Sequence, residues 1–299
     1  MNGVSVAFVI LAAFFWGLSG GIGGILMRDG WDPFLVSFYR GAIGLLVVLF
    51  WLGLRPHQSG MTSRKLWLWS ILAGLGVAGN FAFYFLSIEQ GGVAVAATLM
   101  YCAPVFVYLI SFALRLERPT ALKWIAIVMV MIGIGLLTGI FDVGPDKLSW
   151  IGVSAGLLAG LSYAIFIFGF KYAALYGSPQ AILVIAFSIL IMILIGPSDA
   201  AQISAVPHSP SLPLFLALGV FGAGLSFVFY IIGLKQTAPA VASIVAMVEP
   251  VTASLFGFVI LDEALNGTQI LGMALILLTI TAMSIQSNSR QPSSELGTG

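Results

Sequence analysis

Charged residues are scarce in this chain. They make up 8% of its 299 residues, whereas 60% are hydrophobic and the mean hydropathy is +1.09. A soluble domain carries about a quarter charged residues because its surface must be hydrated. The shortage excludes water as the main solvent of the folded chain and predicts an integral membrane protein.

Other absences narrow the class of function. Cysteine occurs once, at Cys102, which excludes a disulfide framework. The two histidines, His57 and His208, fall in polar connecting segments, and no cluster of Cys and His has the spacing of a metal site. HExxH, GxSxG and Walker-type motifs are lacking, and a net charge of +1 gives no electrostatic basis for binding nucleic acid. We therefore expect no enzyme, no nucleic-acid partner, no metal and no cofactor.

Long apolar runs dominate what is present. A helix needs about 20 apolar residues to cross about 30 Å of hydrocarbon. The first run has no basic leader and no cleavage site, so we expect it to be retained as a span. The sequence predicts an all-α integral membrane protein with ten transmembrane helices, at 4–27, 33–54, 66–88, 92–114, 119–140, 149–171, 178–196, 212–234, 239–261 and 266–286.

Lysine and arginine predict the orientation, because cytoplasmic loops are enriched in both. With a cytoplasmic N-terminus, the outside holds only Arg28 and Lys147, and Arg40 lies within a span. Both termini are then cytoplasmic, and the polar segment 287–299 is predicted to be a disordered cytoplasmic tail. The basic residues placed inside are Arg55, Arg64, Lys65, Arg115, Arg118, Lys123, Lys171, Lys235 and Arg290.

The chain also contains an internal repeat. A shift of 146 residues places FAFY at 81–84 over FVFY at 227–230. Proline and polar residues kept in register within apolar sequence indicate duplication. We predict two five-helix repeats, 1–144 and 145–286. Because each repeat crosses the membrane an odd number of times, the second enters from the opposite side and is inverted. Inverted repeats are typical of transporters that work by alternating access. The alternative is that duplication only enlarged the bundle. Coincident positions include Gln90 with Gln236, Pro104 with Pro250 and Glu117 with Glu263.

Three motifs resemble one family: Pro104…Glu117, its counterpart Glu249-Pro250…Glu263, and the pair Trp16-Gly17. They are similar to the drug/metabolite transporter superfamily, specifically its ten-helix EamA branch, over about residues 5 to 285. The overall pattern most resembles bacterial inner-membrane exporters of aromatic and other neutral amino acids.

This resemblance implies a bacterial inner-membrane protein with a central cavity, surrounded by spans one to four and six to nine and supported by spans five and ten. The four-helix multidrug branch couples protons through a glutamate in its first span. The first span here has no acidic residue, so proton coupling by that route is not expected.

Small residues four apart, in the sixth span and at Gly20 and Gly24, predict close helix packing within one chain. We expect a monomer.

Two ionisable residues, Arg40 and Glu249, lie well inside spans. A charge at mid-membrane costs about 2.5–3.5 kcal/mol and needs a partner or a wet cavity. Glu249 either faces the cavity, where it could hold a substrate ammonium or a proton, or forms a structural lock with Arg40 or with backbone groups freed by Pro250.

Aromatic and polar side chains away from the interfaces complete the expected substrate-binding set. Their rings and few hydroxyls suit a neutral zwitterion with an apolar side chain, and the lack of clustered Arg and Lys argues against phosphorylated substrates. The alternative for each ring is core packing. With Glu249, the set consists of Trp16, Asn80, Tyr84, Tyr101, Tyr163, Ser226 and Tyr230.

Pro104 and Pro250 occupy equivalent places in the fourth and ninth spans. Each deprives a carbonyl, at Met100 and Ala246, of its helical partner. A kink there could act as a gate and present the carbonyl to a polar solute. The alternative is a static bend.

These observations predict a secondary transporter that exports small neutral amino-acid-like metabolites by alternating access, with a small molecule and the lipid bilayer as its partners. One alternative is a broad exporter of drugs or organic cations, in which Glu249 and the rings hold the cation. A channel is another.

Overall fold

The computed structural model describes residues 3–56, 59–116, 119–144 and 149–289, with side chains as far as Ile285. Predictions that concern His57, Glu117, Arg118, Lys147 and Arg290 lie outside the described residues. The last helix continues to Ser289. Residues 287–289, which were predicted to begin a disordered tail, therefore extend that helix instead.

The described residues form helices and no β-strand, which confirms the predicted all-α membrane class. Nine spans of the described chain are long and apolar enough to cross a membrane, and the tenth, Pro179–Leu194, is apolar but has 16 residues. The helices are α1 Gly3–Arg28, α2 Pro33–Leu54, α3 Arg64–Gly91, α4 Val93–Met100, α5 Ala103–Ala113, α6 Ala121–Thr138, α7 Trp150–Ala173, α8 Pro179–Leu194, α9 Ala200–Ala205, α10 Leu212–Gly219, α11 Ser226–Gln236, α12 Pro239–Val245, α13 Val248–Ile260 and α14 Gly267–Ser289.

Several helices begin at a capping residue of the kind that the sequence breaks contain. The Asp32 carboxylate accepts a hydrogen bond from the Leu35 amide at 2.7 Å, directly before Pro33 at the helix start. Ser178 caps α8 in the same way, and Ser149 caps α7. A side-chain acceptor satisfies an amide that the first turn leaves without a partner, and proline lacks one of those amides.

Three of the ten spans are interrupted. The fourth breaks at Tyr101 and Cys102 between α4 and α5, and the ninth breaks at Ala246 and Met247 between α12 and α13. The eighth runs from α10 into α11 through a π-helical segment, Val220–Leu225. Widened turns of this kind often occur at functional positions of helices.

Contacts between loops and helix ends define two opposite faces of the bundle. On the N-terminal face, Ser5 donates a hydrogen bond to Gln236 at 3.2 Å, and the amide of Ser178 donates to the carbonyl of Ser59 at 3.1 Å. The opposite face is called the Arg28 face, because the Arg28 side chain there forms an ion pair that joins the end of α1 to the segment after α13.

The long connector between α8 and α10 covers part of the Arg28 face. It contains the short helix α9 and one 3₁₀ turn, Val206–His208. The Tyr39 hydroxyl of α2 donates to the carbonyl of Ile203 at 2.7 Å, and Val206 is fully buried. The connector therefore packs on the ends of α1 and α2.

Helices of the two halves pack against each other reciprocally. In the first half, α1 contacts α11 and α13, while in the second half α7 contacts α3 and α4. Helices α2 and α8 also pair, as do α6 and α14. The small residues of the sixth span, α7, pack within the chain as predicted, since Gly152 lies against the backbone of Gln90 and Gly91 at the end of α3.

Candidate functional site

A cavity of about 230 Å³ lies inside the bundle between the two halves. We call it the deep cavity. Its walls come from α1, α2, α3, α4, α10 and α13, and they carry both intramembrane charges, Arg40 and Glu249. Of the predicted substrate-binding residues, Trp16, Asn80, Tyr84, Tyr101 and Glu249 line it.

A wider cavity of about 540 Å³ continues from the deep cavity to the Arg28 face. We call it the mouth cavity. The two cavities share Gly20, Tyr84, Tyr101 and Ala253 as wall residues, and Arg28 and Glu263 stand at the outer end. Leu137 and Thr138 of α6 also line it, so the fifth span, which the resemblance placed in a supporting role, contributes to the wall.

Arg40 is held in place by the opposite half of the chain. Its Nε and Nη2 atoms donate to the carbonyl oxygen of Gly222, at 3.0 and 2.7 Å. Gly222 belongs to the π-helical segment Val220–Leu225, where the wider turn changes the helical hydrogen-bonding pattern. The guanidinium carbon lies 5.3 Å from the centroid of the Phe81 ring, within the range of a cation–π contact.

Glu249 lies in the first turn of α13, directly after the break in the ninth span. A carboxylate at this position is stabilised by the partial positive charge of the helix N-terminus. The Tyr163 hydroxyl of α7 donates a hydrogen bond to Glu249 Oε2 at 3.3 Å, and the Tyr101 hydroxyl also interacts with the carboxylate. The break after α4 and the helices α7 and α13 therefore converge on this group.

The structure does not contain the direct lock between Arg40 and Glu249 that the sequence left open. Within the described ranges, the ion pair observed is that of Arg28 with Glu263. Arg40 bonds to a backbone carbonyl and Glu249 to a tyrosine hydroxyl. The two charges face one cavity without being in contact.

The deep cavity is closed towards the N-terminal face by an aromatic cluster consisting of Trp16, Tyr163, Phe166, Phe227 and Tyr230. The Trp16 ring centroid lies 4.8 Å from that of Tyr230 and 5.0 Å from that of Phe227, and the Tyr163 and Phe166 centroids are 4.4 Å apart. Each of the five side chains is at most 4% exposed. Access to the cavity is therefore one-sided.

Three predicted site residues contribute less directly to the walls. Tyr163 reaches the site through its hydrogen bond to Glu249, while Ser226 and Tyr230 are fully buried beyond the walls. Within the described chain, the hydroxyls of Ser226 and Tyr230 and the indole nitrogen of Trp16 are buried without a hydrogen-bond partner. Asn80 does have one, since its amide donates to the carbonyl of Ala159 at 3.0 Å.

The expectation of free carbonyls near the two prolines is wrong at Ala246. Its oxygen accepts a hydrogen bond from the amide of Glu249 at 3.0 Å. Pro104 and Pro250 lie in the first turns of α5 and α13, where an amide needs no partner within the helix. The prolines therefore lie at the start of new helices after each break. The Ala246 carbonyl already has a hydrogen-bond partner and does not need a solute to supply one.

The expectation of close packing at Gly20 and Gly24 is also wrong. A Cβ atom at either glycine would meet no heavy atom within 4 Å, because both line the mouth cavity. These glycines widen the passage instead.

Sequence reasoning missed several wall residues of the deep cavity, among them Ser19, Ser37 and Phe85. Helical spacing could have indicated two of them. Ser19 lies three residues after Trp16, and Ser37 lies three residues before Arg40, so each shares a helix face with a predicted residue.

Comparison with known proteins decides the family. The sequence profile of the EamA-like transporter family matches the chain twice, over residues 3–139 and 150–285. The chain belongs to the EamA-like transporter family. This confirms the resemblance to the EamA branch of the drug/metabolite transporter superfamily.

Several relatives of this EamA-family chain are transporters, and the similarity extends over most of each chain. An uncharacterized transporter of Archaeoglobus fulgidus is 31% identical over 284 residues, which cover 91% of this chain and 93% of the relative. The uncharacterized transporter YwfM of Bacillus subtilis is 27% identical over 282 residues, covering 93% and 92%. The threonine/homoserine exporter RhtA of Salmonella typhimurium is 28% identical over 245 residues, covering 81% and 78%.

A solved crystal structure has the same fold as this EamA-family chain. It superposes with a TM-score of 0.75 at 18% sequence identity, covering 95% of this chain and 98% of the other. Membership of the EamA-like transporter family, with nine apolar helices of spanning length in the described chain, makes this protein a multi-pass membrane transporter, whose partners are a small-molecule substrate and the membrane.

Proposed function

We propose that this EamA-family protein is a secondary transporter that exports small neutral amino-acid-like metabolites, in particular aromatic and apolar amino acids, across the bacterial inner membrane. The observation that carries the proposal is the one-sided deep cavity. It opens through the mouth cavity and is closed on the other side by the aromatic cluster. A solute site that is open to one face at a time is what alternating access requires.

Two inverted repeats, 1–144 and 145–286, would supply the second conformation. The double match of the family profile and the reciprocal packing of α1 and α7 support this relation. In an inverted pair, exchanging the conformations of the two halves turns an opening on one face into an opening on the other. We propose Pro104 and Pro250, next to the two breaks, as the gating positions of that exchange.

We place the N-terminal face in the cytoplasm and propose that both termini lie there. The positive-inside rule supports this orientation. Among the described residues, the lysines and arginines at helix ends and in loops lie on the N-terminal face, except Arg28. In this orientation the structure is open outwards, and we propose that the protein acts as a monomer.

Neutral substrates suit the deep cavity because its two fixed charges cancel. We propose that Trp16, Asn80, Tyr84, Tyr101, Tyr163 and Glu249 form the binding site, with Ser226 and Tyr230 behind it. The exporter relative from Salmonella typhimurium, named for threonine and homoserine, supports an amino-acid substrate.

An organic cation is the second candidate, because Glu249 lines the deep cavity together with the rings of Tyr84 and Tyr101. Such a ligand would interact favourably with both the carboxylate and the ring faces. Arg40 on the same cavity opposes it, because a cation would be repelled there at low dielectric.

Counterflow in proteoliposomes tests the function. Radiolabelled L-phenylalanine and L-threonine are loaded, and unlabelled amino acids and tetraphenylphosphonium are offered as competitors. We expect saturable exchange and competition by neutral amino acids. Competition by the cation alone would support the second candidate, non-saturating flux would indicate a channel, and no competition by any amino acid would refute the proposal.

Glu249→Gln tests the site within the same assay. We expect a lower exchange rate with unchanged folding, judged by size-exclusion chromatography and thermal unfolding. Glu89→Gln is the matched control, since Glu89 is exposed near the end of α3 and lines neither cavity. Unchanged exchange in Glu249→Gln would remove this residue from the mechanism.

A further inference from the structure

Arg40 and Glu249 present opposite charges to the deep cavity from two different helices. Arg40 projects from α2 and Glu249 from α13, and both are wall residues of the same space. Within the described part of the chain they form no direct ion pair with each other. The cavity is therefore neutral as a whole but polar along one direction.

Arg40 retains hydrogen-bonding capacity after its contacts with the protein. A guanidinium has five N–H donors, and those on Nε and Nη2 that bond to Gly222 point to a single oxygen. Among the described residues, Nη1 donates no hydrogen bond. The edge of the guanidinium formed by Nη1 and Nη2 suits a carboxylate, which arginine binds with two parallel hydrogen bonds.

Glu249 likewise retains acceptor capacity. A carboxylate has about four acceptor positions; the Tyr163 hydroxyl occupies one of them at Oε2, and the Tyr101 hydroxyl also interacts with the group. An ammonium group carries three donors and would complete this shell. Ser19 and Ser37, which also line the deep cavity, add hydroxyls without adding charge.

We propose that Arg40 binds the carboxylate and Glu249 the ammonium of a zwitterionic α-amino acid, with the side chain directed towards the rings of Phe81, Tyr84 and Phe85. This assignment rests on the proposed transport of amino acids and goes beyond it by fixing the orientation of the substrate. A ligand that lacks one of its two charges would leave the matching protein charge buried and unpaired, which is costly at low dielectric. The site therefore selects for the zwitterion itself.

Substrate analogues with one charge each test the assignment. For L-threonine they are 1-aminopropan-2-ol, without the carboxylate, and 3-hydroxybutanoate, without the ammonium. For L-phenylalanine they are 2-phenylethylamine and 3-phenylpropanoate. Their affinities for the full-length protein in detergent are measured by ligand-induced thermal stabilisation, and their inhibition of counterflow is measured in liposomes.

We expect the wild-type protein to bind at least one of the two amino acids about tenfold or more tightly than either of its analogues. Arg40→Met is expected to remove the preference over the amine and to keep the preference over the acid. Glu249→Gln is expected to do the reverse. Arg64→Met serves as the matched control, because Arg64 is exposed on the N-terminal face, and it should keep both preferences.

Arg40 also connects α2 to Gly222, so Arg40→Met removes a structural contact as well as a charge. Arg40→Lys retains the charge and should retain the preference over the amine. If neither variant folds, the wild-type preferences and Glu249→Gln alone decide. Amino-acid binding without discrimination against the analogues, or loss of both preferences together in either variant, would overturn the assignment while leaving the transport function intact. Absence of any amino-acid binding would instead refute the proposed function.

Discussion

Gly17 of α1 packs directly against the backbone of Glu249 at the break in the ninth span. A Cβ atom at Gly17 would lie 2.5 Å from the Glu249 carbonyl oxygen and 3.0 Å from the amide nitrogen of Ala253. The other half has a similar contact, since a Cβ at Gly160 of α7 would lie 2.8 Å from the carbonyl oxygen of Leu99 at the break in the fourth span. Each break is thus packed against a glycine of the opposite half.

Gly17→Ala should destabilise the protein and impair transport, because the added methyl group meets backbone atoms that cannot rotate away. Overpacking of this kind costs about 1–3 kcal/mol. Thermal unfolding in detergent and counterflow in liposomes measure the two effects. Gly53→Ala is the matched control, since a Cβ there meets no heavy atom within 4 Å. Equal unfolding temperatures for the two variants would refute the close contact.

Tyr163→Phe should weaken transport through Glu249, because it removes the hydroxyl that donates to the carboxylate at 3.3 Å. A hydrogen bond to a charged group contributes about 1.5–3 kcal/mol. In a double-mutant cycle with Glu249→Gln, we expect the effects on the half-saturating substrate concentration to be non-additive. Tyr172→Phe is the control, because its ring packs on Trp69 outside the cavity walls. Strict additivity would show that Tyr163 acts independently of Glu249.

Lys171→Met should lower stability without changing substrate preference. The Lys171 ammonium donates to the carbonyls of Leu234, Lys235 and Thr237 at 2.8, 3.0 and 2.9 Å, and it thereby connects the end of α7 to the end of α11. A cation at a helix C-terminus also interacts favourably with the helix dipole. We expect a decrease of about 1.5–3 kcal/mol in unfolding free energy.

The control for this prediction is the neighbouring substitution Lys235→Met, which removes the same charge from an exposed side chain. Surface charges contribute about 0–1 kcal/mol, so its unfolding temperature should stay close to that of the wild-type protein. A loss in Lys171→Met no larger than in Lys235→Met would contradict the bridging role.

Cysteine labelling should place the Arg28 face outside the cell. Replacing Cys102 by serine leaves the chain without cysteine, and one cysteine is then introduced at Ser204 of α9 or at Thr62 before α3. A membrane-impermeant maleimide should label Ser204→Cys in intact spheroplasts, and Thr62→Cys only after permeabilisation. The reverse pattern would invert the proposed orientation and make the structure open to the cytoplasm.

Much of the architecture is predictable from the sequence because it depends on local chemistry. The apolar runs predict the spans, since insertion depends on the composition of about 20 consecutive residues. Asp32-Pro33 and Ser178-Pro179 predict helix starts for the same local reason. Arg40 and Glu249 stand out because an intramembrane charge is costly wherever it lies.

The partners of these residues were decided only by the tertiary structure. Arg40 bonds to Gly222, which is 182 positions away and lies in a π-helical segment that no sequence motif indicates. Gly17 and Gly20 look alike in the sequence, yet one packs against a carbonyl and the other lines an open cavity. A transmembrane helix is apolar on nearly every side, so its composition does not say which face meets another helix and which meets the cavity. Packing between the two halves makes that choice.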